Sequence, residues 1–427
     1  MYADSVARKR LLAIIIILGS AIAARFTIGL LYFNSYDTYW YRQWAFSLPE
    51  GFFNVYARAE EISLDYPPLY LFCLYLTGLA YRFFGYGCSD LLQMFLMKFW
   101  PIIFDSACVF MIYFAAKKYS HTAALFAAAL WACNPSAIYN CSFWGQTDGL
   151  MAFLLLAAFY LADGKKPVWA CVVFAVAGLT KYQSLFFTPV LLIYIFKKYD
   201  LKKFLYGILS AAGTVAGVFL PFMIGARDPW LFFRVYLGGA GTYKYCTFNA
   251  YNIYGLFGMN VVKDSTPIIG GFNFAHLNFI IITIIVLSVV FFYIRGARTD
   301  IYVGGLFIMQ SIFILGTRMH ERYQMVVLPF ALMAYVSTRN RHFAWQFSLL
   351  TVLTLINQAV ILYNVNIDGI FYEAYRTQIM QIVSAANVAV YAHTVYATVQ
   401  FFFKGDKVND LLETKASLAP SAEEQSA

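Results

Sequence analysis

Residues 66–84 read YPPLYLFCLYLTGLAYRFF, and whether this stretch crosses a membrane or lies along it decides the topology of everything downstream. An apolar run, residues 11–31, precedes it and follows Arg8-Lys9-Arg10. Basic residues stay on the cytoplasmic side, so the N-terminal triad is cytoplasmic and residue 32 emerges outside. If 66–84 crosses, Lys117-Lys118, Lys165-Lys166, Lys197-Lys198, Lys202-Lys203, Arg295, Arg298, Arg339 and Arg341 all fall outside. If it lies along the outer interface, every one of those clusters falls in a short cytoplasmic turn. The positive-inside bias selects the second arrangement. Tyr66-Pro67-Pro68 opens the segment and Tyr81-Arg82 nearly closes it, as suits an amphipathic interfacial helix.

Composition agrees. The 427 residues are 61% apolar and only 12% charged, with a mean hydropathy of +0.63, whereas a soluble domain is nearer half apolar and a quarter charged. The net charge of +9 is accounted for by basic cytoplasmic turns, and nucleic acid is not expected as a partner. With about 20 apolar residues per span, the candidates are 11–31, 99–116, 121–137, 147–162, 167–179, 184–196, 204–224, 276–294, 301–316, 323–337, 343–362 and 381–403. The first is read as an uncleaved anchor, because no small-residue cleavage site follows it. The expected fold is an all-α, polytopic transmembrane helical bundle with interfacial helices in a large first external loop, residues 32–98. Residues 1–10 form a cytoplasmic N-terminus, 338–403 carry C-terminal spans, and 404–427 are a polar tail expected to be disordered. The seven cysteines sit mostly in apolar stretches without a CxxC pair and read as small buried hydrophobes.

Ionisable residues at membrane depth are costly and are functional candidates by default. In this topology they gather on the outer face. Asp37 follows the first span and Asp65 precedes Tyr66. Asp105 lies inside the second span, Gln146 and Asp148 cap an outer turn, and Lys181 and Gln183 tip the hairpin 167–196. Arg318, His320, Glu321 and Arg322 fill another outer turn, while the cytoplasmic turns hold little beyond Lys, Arg, Gly and Pro. Plainer readings stand beside these. Asp37 is equally a solvated loop carboxylate and Asp105 equally half of a structural ion pair, while a cap of the following helix is the plainer but less favoured reading of Gln146 and Asp148. Lys181 is harder to dismiss, since an ammonium in mid-hairpin needs an anionic partner. His320-Glu321 lacks the second histidine of HExxH, which argues against zinc.

Several cations and a few carboxylates, walled by lipid-facing helices, suit an amphiphile with an anionic head, such as a polyprenyl-phosphate sugar. Its phosphate would rest on Lys181, Arg318, His320 or Arg322 while its tail leaves into lipid. Transfer from such a donor needs one base on the acceptor hydroxyl and cations on the departing phosphate, with no general acid. No Walker A motif and no GxGxxG turn with a βαβ unit is present, so neither ATP nor a nucleotide sugar is suggested.

Asp37, Asp65-Tyr66-Pro67-Pro68-Leu69, Lys98 to Asp105, Asn134-Pro135 with Trp144-Gly145-Gln146-Thr147-Asp148, Thr180-Lys181-Tyr182-Gln183, Asn249-Ala250-Tyr251-Asn252 and Met319-His320-Glu321-Arg322-Tyr323 together resemble the GT-C glycosyltransferases. The likeness is nearest to the bacterial proteins similar to GPI mannosyltransferase II, and it spans about residues 11–337. It implies a base carboxylate in the first external loop, which maps onto Asp37, and substrate-binding roles for the other motif residues, Asn249 and Asn252 included. It also implies an inverting hexosyl transfer, mannose favoured, from a polyprenyl-phosphate donor to a glycolipid or glycan acceptor. The setting it implies is the extracytoplasmic face of a bacterial plasma membrane. Some relatives bind a divalent ion through paired acids in this loop; Asp37-Thr38-Tyr39 supplies one acid, so no metal or other cofactor is expected. A transporter or flippase of a lipid-linked saccharide is the competing reading. Such proteins usually place their site near the midplane between symmetric halves, and no internal repeat is visible here.

Overall fold

The computed structural model describes residues 2–31, 37–241, 243–363 and 377–404, and these fold almost wholly as helix. In chain order the elements begin with α1 (Tyr2–Leu31), α2 (Asp37–Ser47), α3 (Pro68–Phe84), α4 (Asp90–Ala116), α5 (His121–Ala132) and α6 (Pro135–Ile138). Next come α7 (Asp148–Asp163), α8 (Pro167–Thr180), α9 (Thr188–Lys198), α10 (Leu201–Ala226), α11 (Leu231–Gly241) and α12 (Ile253–Leu256). A small antiparallel pair, β1 (Pro267–Ile269) and β2 (Phe272–Asn273), leads into α13 (Phe274–Arg295). The chain continues through α14 (Ile301–Leu315), α15 (Val327–Thr338), α16 (Arg341–Tyr363) and α17 (Thr377–Phe403). Residues 405–427, most of the expected tail, lie outside the described residues, as do 32–36 at the start of the first loop.

Six helices, α1, α4, α10, α13, α16 and α17, are long and apolar enough to cross a membrane. Three of these expose apolar side chains along much of their length: Leu12 and Ile16 of α1, Leu209 and Ile224 of α10, Phe279 and Leu287 of α13. In water such faces would aggregate; against lipid tails they cost nothing. The chain is an integral, multi-pass membrane protein. The other six stretches read as spans are helices of 11–16 residues, three of them extended by a 3₁₀ or π turn. Of these, α7, α14 and α15 expose no residue and lie inside, whereas α5, α8 and α9 turn Phe126, Trp169 and Phe196 outward. Every residue of α14 except Leu315 is buried, as expected of a helix that is apolar all round. Close approach needs small residues: a Cβ on Gly149 of α7 would stand 2.7 Å from the Asp105 Cβ of α4.

The segment 66–84 becomes α3, started by Pro67 and Pro68. One side, with Tyr70, Leu71, Leu74 and Tyr81, packs mainly on α2 and α8, and Gly78 touches the α2 backbone closely enough that a Cβ would clash. Phe72, Leu76, Leu79 and Phe83 face outward. All seven cysteines are free thiols; Cys108, Cys141, Cys171 and Cys246 are buried as expected, whereas Cys133 is exposed.

Candidate active site

The site is assembled where helices stop early. After α5, Asn134-Pro135 restarts the chain, with Asn134 Oδ1 accepting from the Ala137 N–H at 3.0 Å. A π turn, Tyr139–Trp144, follows and ends at Gly145, whose φ of +75° suits glycine. This detour carries the Trp144 indole to Asp37, the first residue of α2, and its N–H donates to Asp37 Oδ2. A carboxylate at a helix N-terminus is also favoured by the helix dipole.

Asp148 opens α7 and is fully buried; it accepts from Asn140 Nδ2 at 3.0 Å and pairs with Lys181 Nζ. Lys181 ends α8, where the chain turns extended before the 3₁₀ turn Tyr182–Phe187. The anionic partner that a mid-hairpin lysine requires is therefore Asp148. Gln183 donates to the Tyr323 hydroxyl at 2.7 Å, and its buried Oε1 has no hydrogen-bond partner.

Arg322 leads into the 3₁₀ turn Tyr323–Val326. It gives Nη1 to Glu321 at 2.8 Å and lies over the Trp144 and Tyr323 rings, 5.8 and 5.9 Å from their centres. Its buried Nε has no partner. Burial alone would raise Glu321, yet His320 and Arg322 hold it below the ordinary glutamate range. Burial pushes His320 below the ordinary histidine value, so it is neutral near pH 7. Burial likewise pushes the Asp65 carboxyl up to about 6, opposed chiefly by Arg322.

Around these groups stands an aromatic sleeve. The Tyr41 hydroxyl donates to Gln146 Oε1 at 3.1 Å and meets the Tyr66 hydroxyl at 2.8 Å, while Tyr56 donates to the Tyr66 carbonyl at 2.7 Å. Trp44 packs against Tyr41 and Tyr66 at 5.6 and 5.4 Å. The result is an open cavity of about 780 Å³ that brings together Asp37, Asp65, Tyr66, Lys181, Gln183 and Arg322. Gln146, Asp148, His320 and Glu321 lie buried around it and hold its lining residues.

Residues 64–316 match the sequence model of glycosyltransferase family 87. The chain belongs to that family. The match includes Asp65, Asp148 and Lys181 but begins after Asp37 and ends before Arg318–Arg322. No protein of curated function matches the sequence significantly. Among solved structures, one similar chain is ArnT from Cupriavidus metallidurans, crystallised with undecaprenyl phosphate; it is 13% identical, over 90% of this chain and 76% of ArnT, with a TM-score of 0.41.

In this glycosyltransferase four of the expected site residues stand outside the cavity. Asp105 pairs with Arg25 of α1 at 2.7 Å, both side chains wholly buried. Asn252 caps α12, accepting from the N–H groups of Tyr254 and Gly255. Asn249 exchanges hydrogen bonds with Asn260, both 2.8 Å, and Arg318 pairs with Asp264 at 2.7 Å. The last three fasten the 243–264 loop to itself and to the 316–322 turn. Several lining residues were not anticipated: Tyr41, Trp44, Tyr56, Glu60, Glu61 and Arg234. The aromatic density of 39–46 was a signal for the first two; nothing local marks the others. Among the described residues no three His, Cys, Asp or Glu side chains gather as a metal-holding set.

Proposed function

We propose that this family 87 enzyme transfers a hexose, mannose favoured, from a polyprenyl-phosphate donor to a glycolipid or glycan acceptor at the extracytoplasmic face of a bacterial plasma membrane. The observation that carries the reading is the meeting of Asp37, Lys181 and Arg322 in one cavity among lipid-facing helices. Asp37 takes the proton of an acceptor hydroxyl while that oxygen attacks the anomeric carbon. The bond from that carbon to the phosphate oxygen breaks on the opposite side, inverting the configuration. Lys181 and Arg322, which line the cavity, receive the charge that develops on the departing phosphate. The base needs no metal, and with Asp37 as the one acid of its sequence turn the transfer is taken to run without one. Residues 11–337 are taken as the catalytic module and 338–403 as accessory spans.

The test uses detergent-purified protein, radiolabelled short-chain polyprenyl-phosphate hexoses and a membrane lipid and glycan extract as acceptor. Label should move to a new product, unaffected by EDTA. Asp37→Asn should lower turnover by roughly 10²–10⁴-fold with normal expression, the size of a lost general base. Wild-type-like turnover in that variant removes Asp37 as base, and EDTA inhibition reversed by a divalent ion overturns the metal-free step.

A further inference from the structure

The cavity has two electrostatically different ends. At one, Lys181 and Arg322 present cations, each backed by a buried carboxylate. At the other, the turn after Phe52–Arg58 carries Glu60, Glu61 and Ser63 on the wall, all exposed. The cations of this rim are already engaged: Arg58 with Glu50 at 3.3 Å and Arg234 with Asp228 at 2.8 Å. Among the described residues no ion pair involves Glu60 or Glu61. The rim thus holds two uncompensated negative charges.

The turn that bears them is fixed in shape. Leu64 N–H bonds the Ala59 carbonyl at 2.8 Å, Trp44 Nε1 bonds the Ile62 carbonyl at 2.8 Å, and Arg58 bonds the Ser47 carbonyl at 3.3 Å. Ser63 is held at φ +51°, a conformation that costs a non-glycine residue free energy and that persists where surroundings over-determine it. Tyr56 and Trp44 line the same cavity, and so does Gln183, 3% exposed, which donates to the Tyr323 hydroxyl and whose buried Oε1 has no partner. Carboxylates and an amide oxygen accept hydrogen bonds and donate none, and aromatic faces accept apolar C–H surfaces. A phosphate or carboxylate group would meet a rim whose two arginines, Arg58 and Arg234, are already paired and whose unpaired charges are like its own. A neutral polyhydroxyl group offers donors to the free carboxylates without that repulsion.

We infer that Glu60, Glu61 and Gln183 form the acceptor subsite, and that the acceptor group docking there is an uncharged saccharide. The inference rests on the proposed reading for its placement of the donor phosphate at Lys181 and Arg322. Glu60 and Glu61 set specificity by repelling anionic head groups and by taking hydroxyl protons in hydrogen bonds.

The experiment uses full-length protein in nanodiscs loaded with short-chain polyprenyl phosphate. Binding is measured for octyl glycosides of neutral hexoses and for the 6-phosphate and uronate counterpart of each; free disaccharides form a second arm that separates glycolipid from soluble glycan acceptors. In wild type at least one neutral glycoside should bind about tenfold more tightly than its anionic counterparts. In Glu60→Lys/Glu61→Lys that preference should shrink or reverse by a further tenfold or so, with Glu60→Gln/Glu61→Gln between the two. Polyprenyl phosphate affinity, measured in the same samples, reports that the variants are folded. An anionic probe preferred by wild type, no preference at all, or a preference untouched in the lysine variant overturns the subsite. Failure of polyprenyl phosphate to bind wild type instead overturns the donor reading, so the two are told apart.

Discussion

Two arginines, the wholly buried Arg25 and the partly buried Arg322, are each paired with a buried carboxylate, and they do opposite things with their remaining donors. Arg25 spends its whole guanidinium inside the protein: Nε on Asp105, Nη1 on the Ala132 and Ala21 carbonyls, Nη2 on the Trp131 carbonyl. It ties α1 to α4 and satisfies the carbonyls at the end of α5. Arg322 uses Nη1 on Glu321, rests on two rings and leaves Nε without a partner beside a cavity. A buried ion pair as such is therefore weak evidence of function. What separates the two is whether the side chain is wholly enclosed with its donors satisfied or, like Arg322, lines a space a ligand can enter and keeps a donor unpaired.

The largest effect that would sharpen this contrast is on stability. Removing one member of a fully enclosed pair leaves the other charge buried, at a cost of about 3–5 kcal/mol. Arg25→Met should lower the melting temperature and yield of purified protein strongly, and Arg25→Met/Asp105→Leu should recover most of the loss. A folded Arg25→Met protein that lacks only turnover would break the comparison by giving the pair a direct role.

Next in size, Arg322→Gln should lower kcat/KM by roughly 10²–10³-fold, as for a lost oxyanion-stabilising donor. Its melting temperature should fall less than that of Arg25→Met, because Glu321 can still draw a proton onto His320, 3.8 Å away. An unfolded Arg322→Gln protein would place both arginines in the same structural class.

The smallest effect concerns Asp65, whose carboxyl titrates near 6. Below that pH it is neutral and able to donate a hydrogen bond; above it, a second negative charge faces the donor phosphate. The proposed donor, a polyprenyl-phosphate sugar, is a phosphodiester with an unchanging single charge, so its affinity should weaken by about three- to tenfold from pH 5 to pH 8. Asp65→Asn should flatten the slope. Affinity that strengthens with pH, or an unchanged slope in the variant, would remove Asp65 from the phosphate's surroundings.

The helices were readable from the sequence because lipid-facing and core-facing helices are both written in continuous apolar runs. Which was which was not readable: α14 and α13 have similar composition, and only packing makes the first the core and the second the exterior. For the site, the need of Lys181 for an anion was legible, whereas its partner was not, since Asp148 lies 33 residues away on another helix. Asp105 carried two readings, and the structure supplies the basic neighbour of the structural one, Arg25. Asn249 and Asn252 came in through the family resemblance and Arg318 as a cation in an outer turn, and the structure uses all three to hold the shape of that part of the chain. Glu60 and Glu61 escaped notice because charged residues in an external loop need no explanation until their neighbours prove to be already paired.

The shortness of α8 has a consequence for side reactions. Fourteen residues rise about 21 Å, whereas the hydrocarbon layer is about 30 Å thick. A hairpin of this length rooted at one interface would end about 9 Å short of the other, and the ammonium at its tip would stand below the level of the head groups. An activated sugar drawn down to it leaves most of the bulk solvent behind. Water is then a scarce competitor for the anomeric carbon, and the membrane itself protects the donor from being wasted by hydrolysis.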